Sequence, residues 1–193
     1  MKKQLVIGLL AAFCASPAFA ALKVGDTAPD FTARASLGGK EFNFSLKDAL
    51  KKGPAVVYFY PSAYTGGCDL EAHTFAESSA KFTAAGASII GVSADNMERL
   101  NQFAADPAFC AGKFPIASDE SLTIANSYNL STRPAKEGLK DVRGVEIGHG
   151  FIERVTYVIG KDHKIVAVMS STEDKLTPDQ HVDKSLAIVT ASK

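Results

Sequence analysis

The chain has 193 residues, 46% of them apolar, with 21 basic and 21 acidic side chains and three cysteines. That length supports one domain with its own core, and a charge balanced at zero excludes the basic face that a nucleic-acid binder needs. No apolar run reaches the roughly 20 residues that cross a bilayer, so no membrane-spanning segment is expected.

The first twenty residues, MKKQLVIGLLAAFCASPAFA, start basic at Lys2 and Lys3, run mostly apolar from Gln4 to Phe13 and end on Ala18-Phe19-Ala20. This is the pattern of a cleaved secretory signal peptide over 1–20, with a single domain over 21–193 and an exported, periplasmic location as the expectation. Phe13, not a small residue, precedes Cys14, which reads against a lipoprotein signal. Cleavage would leave 19 basic against 21 acidic side chains, a net charge of −2, and two cysteines, Cys68 and Cys110. By count alone, two cysteines in an oxidising compartment read as a structural disulfide.

After the signal, Gly25-Asp26 and Pro29-Asp30 punctuate an extended segment. KEFNFSL, with Phe42 and Phe44 alternating, predicts a half-buried strand, and SLKDALKK a short helix capped by Ser45. AVVYFY, residues 55–60, has the composition of a central parallel strand covered on both faces. A helix follows Cys68 and ends near Gly86; then come a strand over 87–94, a helix capped by Asp95, a short extended piece FPIASD and a helix in ESLTIANSYNL. Residues 131–150 are a long polar excursion. RVTYVIGKDHKIVAVMS predicts a hairpin turning at Gly160 to His163, and a last helix begins near Pro178 with Val182, Leu186 and Val189 on one face. The alternation of strands and helices is that of an α/β fold, and Phe31, Phe42, Phe44 and Phe59 are its expected core aromatics.

Cys68 stands where a loop with two glycines enters a helix. A thiolate in the first turn sees unpaired backbone N–H groups and the positive end of the helix dipole, so a pKa lowered by about one unit or more is expected. The spacing Pro61-x-x-x-Thr65-x-x-Cys68 resembles the active-site signature of the peroxiredoxins, thiol peroxidases on a thioredoxin-like fold. GDTAPDF, VVYFYP and RVTYVIGKDHKIV are similar to other segments of that family, and YPSAYTGGCDLEA is most similar to its peroxiredoxin Q, or bacterioferritin comigratory protein, group. The resemblance implies a central mixed sheet with helices on both faces. It also implies a peroxidase acting on hydrogen peroxide and small organic hydroperoxides without metal or prosthetic group. Monomers and homodimers both occur among similar proteins.

On that resemblance Cys68 is the peroxidatic cysteine, Thr65 offers its hydroxyl to the peroxide or the thiolate, and Arg154 stabilises the charge that moves onto the leaving oxygen. Pro61 walls the pocket without an N–H that competes, and backbone amides around Gly67 and Cys68 complete the oxygen site. Arg133 and Arg143 compete with Arg154 for the cationic role but sit in the polar excursion, where a solvated charge is the plainer reading. Many peroxiredoxin Q proteins carry a resolving cysteine five residues after the first; here His73 occupies that position, and Cys110, expected at the end of the next helix, is the one candidate in the mature chain. A transient Cys68–Cys110 disulfide reduced by a thioredoxin-like donor is then implied, through local unravelling at Gly66, Gly67 and Gly112. The alternative is an exported thiol-disulfide oxidoreductase, but such proteins carry Cys-x-x-Cys at the helix start and this window reads Thr65-Gly66-Gly67-Cys68. His73, His149, His163 and His181 are too scattered for a metal set and read as surface or locally bonded residues.

Overall fold

In the computed structural model, which describes residues 21–191, regular structure begins with an antiparallel hairpin of β1 (Thr32–Leu37) and β2 (Lys40–Ser45). The sequence pattern did not predict β1. TARASL carries only small apolar residues before Leu37, yet Ala33 and Ala35 turn inward and are buried. On the edge strand β2 the alternation buries Phe44 but leaves Phe42 41% exposed, so Phe42 is not a core residue. Ser45 caps α1 (Leu46–Lys52) by accepting from the Asp48 amide, and Leu46, Ala49 and Leu50 bury one face.

β3 (Ala55–Phe59) is buried at every position. α2 (Gly66–Ala84) follows, and Gly86, with φ of +75°, turns the chain out of it. β4 (Ser88–Ser93) runs parallel to β3 and α3 (Met97–Ala105) follows it. The cap of α3 is Asn96, whose Oδ1 accepts from the Arg99 amide; Asp95, the expected cap, is wholly buried and used elsewhere. β5 (Ile116–Ser118) lies parallel to β4 and antiparallel to β1. α4 (Thr123–Ser127) is a short turn of helix whose Ile124 and Ala125 amides are bound by the Asp119 carboxylate. Within and beside the excursion, β6 (Thr132–Arg133) pairs with β7 (Phe151–Ile152). β8 (Val155–Ile159) and β9 (Ile165–Ser170) form the predicted hairpin, and α5 (Pro178–Ala191) ends the described chain with Val182 and Val189 buried and Leu186 partly so.

The main sheet has the order β2-β1-β5-β4-β3-β8-β9. β3 is parallel to β4 on one side and antiparallel to β8 on the other, so the central-strand reading holds and the wholly parallel one does not. Its period-two alternation sends Ala55, Val57 and Phe59 into the core under α1 and α4, and Val56 and Tyr58 into the core under α2, α3 and α5. A mixed sheet with helices on both faces follows. Gly91 makes the second core possible: a Cβ there would stand 2.6 Å from the Tyr58 ring, which crosses over β4 at that point.

Candidate active site

The loop between β3 and α2 brings the thiol to the carboxyl ends of the parallel strands, where α/β sheets open a crevice. Pro61 directly follows Tyr60, whose amide makes the last bond across to Val92 O at 3.1 Å. Thr65 precedes α2 in extended conformation, and its hydroxyl donates back to Ser62 O at 2.8 Å instead of capping the helix. Cys68, third in the helix, is 3% exposed.

Arg154 reaches the thiol from the residue before β8, eighty-six positions away. Its Nη2 donates to Cys68 Sγ at 3.1 Å and its Nη1 to the carboxylate of Glu71, a buried residue one helical turn beyond the cysteine on the same face. Gly67 admits this approach: a Cβ there would meet Arg154 Nη2 at 3.3 Å and Pro178 Cγ at 3.4 Å. Arg133 is exposed and Arg143 lies over the Tyr64 ring, so of the three candidate arginines it is Arg154 that meets the sulfur.

The electrostatics differ from the helix-terminus expectation. Burial pushes the Cys68 thiol above its ordinary value; the Arg154 guanidinium, the Thr65 hydroxyl and the Ser62 backbone pull it back, and the Glu71 carboxylate adds to the rise. Burial therefore outweighs the pull of Arg154, Thr65 and the Ser62 backbone. It also pushes Glu71 up to about 7 against the pull of Arg154, and Glu71 Oε1 has no hydrogen-bond partner. Arg154, between two groups that favour its charge, stays protonated. The Cys68 amide is bound by Thr65 O at 2.8 Å and is not free for an oxygen, whereas Gly67, at the second helical position, has no acceptor a turn earlier.

Cys110 is buried and, like Cys68, a free thiol, and both belong to the core under α2 and α3. It is not on α3, which ends at Ala105, but in the turns that follow, beside Ala111 and Gly112 with φ of +50° and +64°. Burial, then Asp106 and Asp69, raise its pKa far above the ordinary range. His73, standing where a nearer resolving cysteine would, donates from Nδ1 to Ala108 O at 3.0 Å and so ties α2 to the Cys110 turn.

Sequence reasoning missed Glu71, whose signal was its i+3 spacing from Cys68, and did not foresee that one of the locally bonded histidines lies in the core. His181 is fully buried between Thr156 Oγ1 (2.9 Å) and Ser171 Oγ (3.0 Å), with its pKa lowered by burial and Arg154 to about 4, which keeps it neutral. His149 meets Asp95 Oδ1 at 2.7 Å. Among the described residues no group of three or more His, Cys, Asp or Glu side chains could hold a metal ion, and no helix is long and apolar enough to cross a membrane.

Residues 24–168 match the model of the AhpC/TSA family. The chain belongs to the AhpC/TSA family. It is 30% identical over 175 residues to the chloroplastic peroxiredoxin Q of Sedum lineare, which covers 91% of this chain and 82% of that one. The structure of peroxidoxin BcpB from Mycobacterium tuberculosis superposes with a TM-score of 0.72 at 30% identity, covering 89% of this chain and 99% of the other. That of the bacterioferritin comigratory protein of Xanthomonas campestris gives 0.63 at 27%, covering 82% and 90%. As an AhpC/TSA protein with relatives in the peroxiredoxin Q and bacterioferritin comigratory group, the chain is a thiol-dependent peroxidase on the thioredoxin-like fold.

Proposed function

We propose that Cys68 is the peroxidatic cysteine of an exported, periplasmic thiol peroxidase, with Thr65, Arg154 and Pro61 around the peroxide and Cys110 resolving the oxidised product. The observation that carries the reading is the hydrogen bond from Arg154 to the sulfur at 3.1 Å within a site almost closed to water. A charge-assisted bond of that kind favours the thiolate, the form of the sulfur that attacks. One Thr65 proton cannot serve two acceptors; on ionisation of Cys68 it turns from Ser62 O toward the sulfur or the peroxide.

The thiolate attacks one peroxide oxygen, the S–O bond forms as the O–O bond breaks, and sulfur loses two electrons to the peroxide. The leaving oxygen departs as water or an alcohol after taking a proton, its charge held meanwhile by Arg154. Cys68 is left as a sulfenic acid, which condenses with the Cys110 thiol to give a disulfide and water. A thioredoxin-like dithiol then reduces the disulfide. The solved relative from Xanthomonas campestris is described for alkyl peroxide reduction, which supports small organic hydroperoxides beside hydrogen peroxide as substrates. Export rests on the basic, apolar and small-residue pattern of 1–20.

Rapid-quench mass spectrometry after one equivalent of peroxide tests the chemistry. Cys68→Ser abolishes rapid peroxide consumption, a loss of about 10^4-fold or more. Cys110→Ser keeps the first oxidation and loses the disulfide and turnover. An intramolecular disulfide that persists in Cys110→Ser refutes the resolving assignment, and rapid turnover in Cys68→Ser refutes the whole scheme. N-terminal sequencing of protein recovered from a periplasmic extract checks export: the mature chain begins at Ala21.

A further inference from the structure

The polar excursion, residues 131–150, has no part in the peroxide chemistry, yet its middle is built onto the peroxide loop. Tyr64, the residue before Thr65, is 3% exposed and holds φ of +58°, a left-handed conformation unfavourable for an aromatic residue. Its ring lies edge-on to Phe103 of α3 (5.0 Å) and to Phe109 beside Cys110 (5.5 Å). From the excursion, the Arg143 guanidinium stands 3.3 Å from the ring centre, and the Val142 amide donates to Tyr64 O at 3.0 Å.

Arg143 is itself held. Its Nε and Nη2 donate to Asp141 Oδ2 at 3.0 and 2.8 Å, and its Nη1 to Gln102 on α3 at 2.9 Å. Asp141 is buried, accepts from the Arg143 and Val145 amides, and pairs with Arg99 at 2.8 Å; Arg99 in turn donates to Ala63 O of the peroxide loop. Asp95 accepts from the Ala63 amide and the Ser62 hydroxyl, both at 2.8 Å. Three consecutive residues of the loop, Ser62, Ala63 and Tyr64, are thus fastened by one charged network.

We propose that Arg143 is a positioning residue for the second half of the reaction: clamped by Asp141 onto Tyr64, it keeps the peroxide loop folded and sets how fast oxidised Cys68 can leave its pocket for Cys110. The inference rests on Cys110 as the resolving thiol. Tyr64 sits against both loops that must move, its backbone in one and its ring on Phe109 in the other. While Arg143 covers it, the left-handed turn persists and the sulfenate stays in the pocket, open to a second peroxide that would convert it to sulfinic acid. Release of Arg143 frees both loops together. Lysine keeps the charge but loses the flat face and the paired donors to Asp141, so it restores the clamp only in part.

Amide hydrogen exchange on the reduced protein and rapid-quench mass spectrometry, applied to Arg143→Gln, Arg143→Lys and the exposed control Arg133→Gln, test it. For Arg143→Gln exchange is expected to speed up about tenfold at residues 62–68 and 108–112, with β3 and α5 unchanged, the size that losing a part-buried cation–π contact would bring. Disulfide formation should speed up by a similar factor and the sulfinic fraction at excess peroxide should fall, while sulfenate formation stays within about twofold; Arg143→Lys should fall between, and Arg133→Gln should match wild type. Unchanged exchange at 62–68, acceleration spread evenly over the fold, or a slower disulfide step each overturns the clamp. If wild type forms no Cys68–Cys110 disulfide, the resolving assignment fails, and the exchange pattern still decides whether Arg143 holds the loop.

Discussion

Two buried charge clusters flank the same loop, each an arginine between acids, and they are satisfied to different degrees. On one side Arg154 serves Cys68 and Glu71, but Glu71 Oε1 lacks a partner, and burial pushes both acid groups upward. On the other, burial of Asp95 is outweighed by bonds from His149, the Ala63 amide and Ser93, and that of Asp141 by bonds from Arg143 and two amides, so both carboxyls lie below their ordinary value. The first cluster leaves unmet demand for charge compensation beside the thiol proposed to attack the peroxide. The second, in which Arg99 Nε lacks an aligned hydrogen bond but stands 2.9 Å from Asp95 Oδ1, leaves less and holds backbone. Reactivity and rigidity are thus separated across the width of one loop.

The sharpest way to break the contrast is Arg154→Gln. Removing the one cation from the unsatisfied cluster is expected to lower the rate constant for Cys68 oxidation by about 10^2–10^3-fold, measured by stopped flow, with little loss of fold because Glu71, already pushed up to about 7, takes a proton once its partner is gone. Asp95→Asn should do the reverse: a loss of roughly 3 kcal/mol in urea unfolding, because Arg99 and His149 lose their charged partner, with the rate down tenfold at most. Equal effects of the two variants on rate and stability would erase the distinction.

Smaller shifts follow with pH. Glu71→Gln removes a carboxylate that raises the thiol and competes for Arg154, so the pH profile of Cys68 alkylation by iodoacetamide should move to lower pH. A profile unchanged or moved upward would show that Glu71 does not oppose ionisation. His149 faces Gly150 O from Nδ1 and Asp95 Oδ1 from Nε2, and against the opposing effect of burial these acceptors raise its pKa, Asp95 foremost. A raised folded pKa means stabilisation fully present below the unfolded value near 6.5 and lost as pH rises through the folded one. The stability difference between wild type and His149→Gln should accordingly be on the order of 1 kcal/mol at pH 6 and shrink above it, as read from urea midpoints. A difference that grows with pH would mean that the histidine acts neutral.

Much of this was legible beforehand where local chemistry decides. AVVYF could only be a covered strand, Ser45 could only cap what followed it, and the spacing of Pro61, Thr65 and Cys68 marked the candidate loop. The reading failed where neighbours decide. β1 was invisible because two alanines suffice to bury one face of a strand in the core under α1 and α4; Phe42 and Phe44 look alike in sequence, but the sheet edge covers only one. The pKa direction at Cys68 failed for the same reason: the helix terminus is encoded locally, whereas desolvation comes from everything packed around the thiol.

From the order of its residues alone, this chain declares most of its elements, a candidate nucleophile and a candidate cation, because helix entry, strand burial and thiol chemistry are short-range properties. Only the folded molecule decides which arginine meets the sulfur, that Glu71 stands behind it, and that residues 141–149 fasten the loop. Those pairings join positions dozens of residues apart, and no local pattern constrains a distance that the sheet order sets.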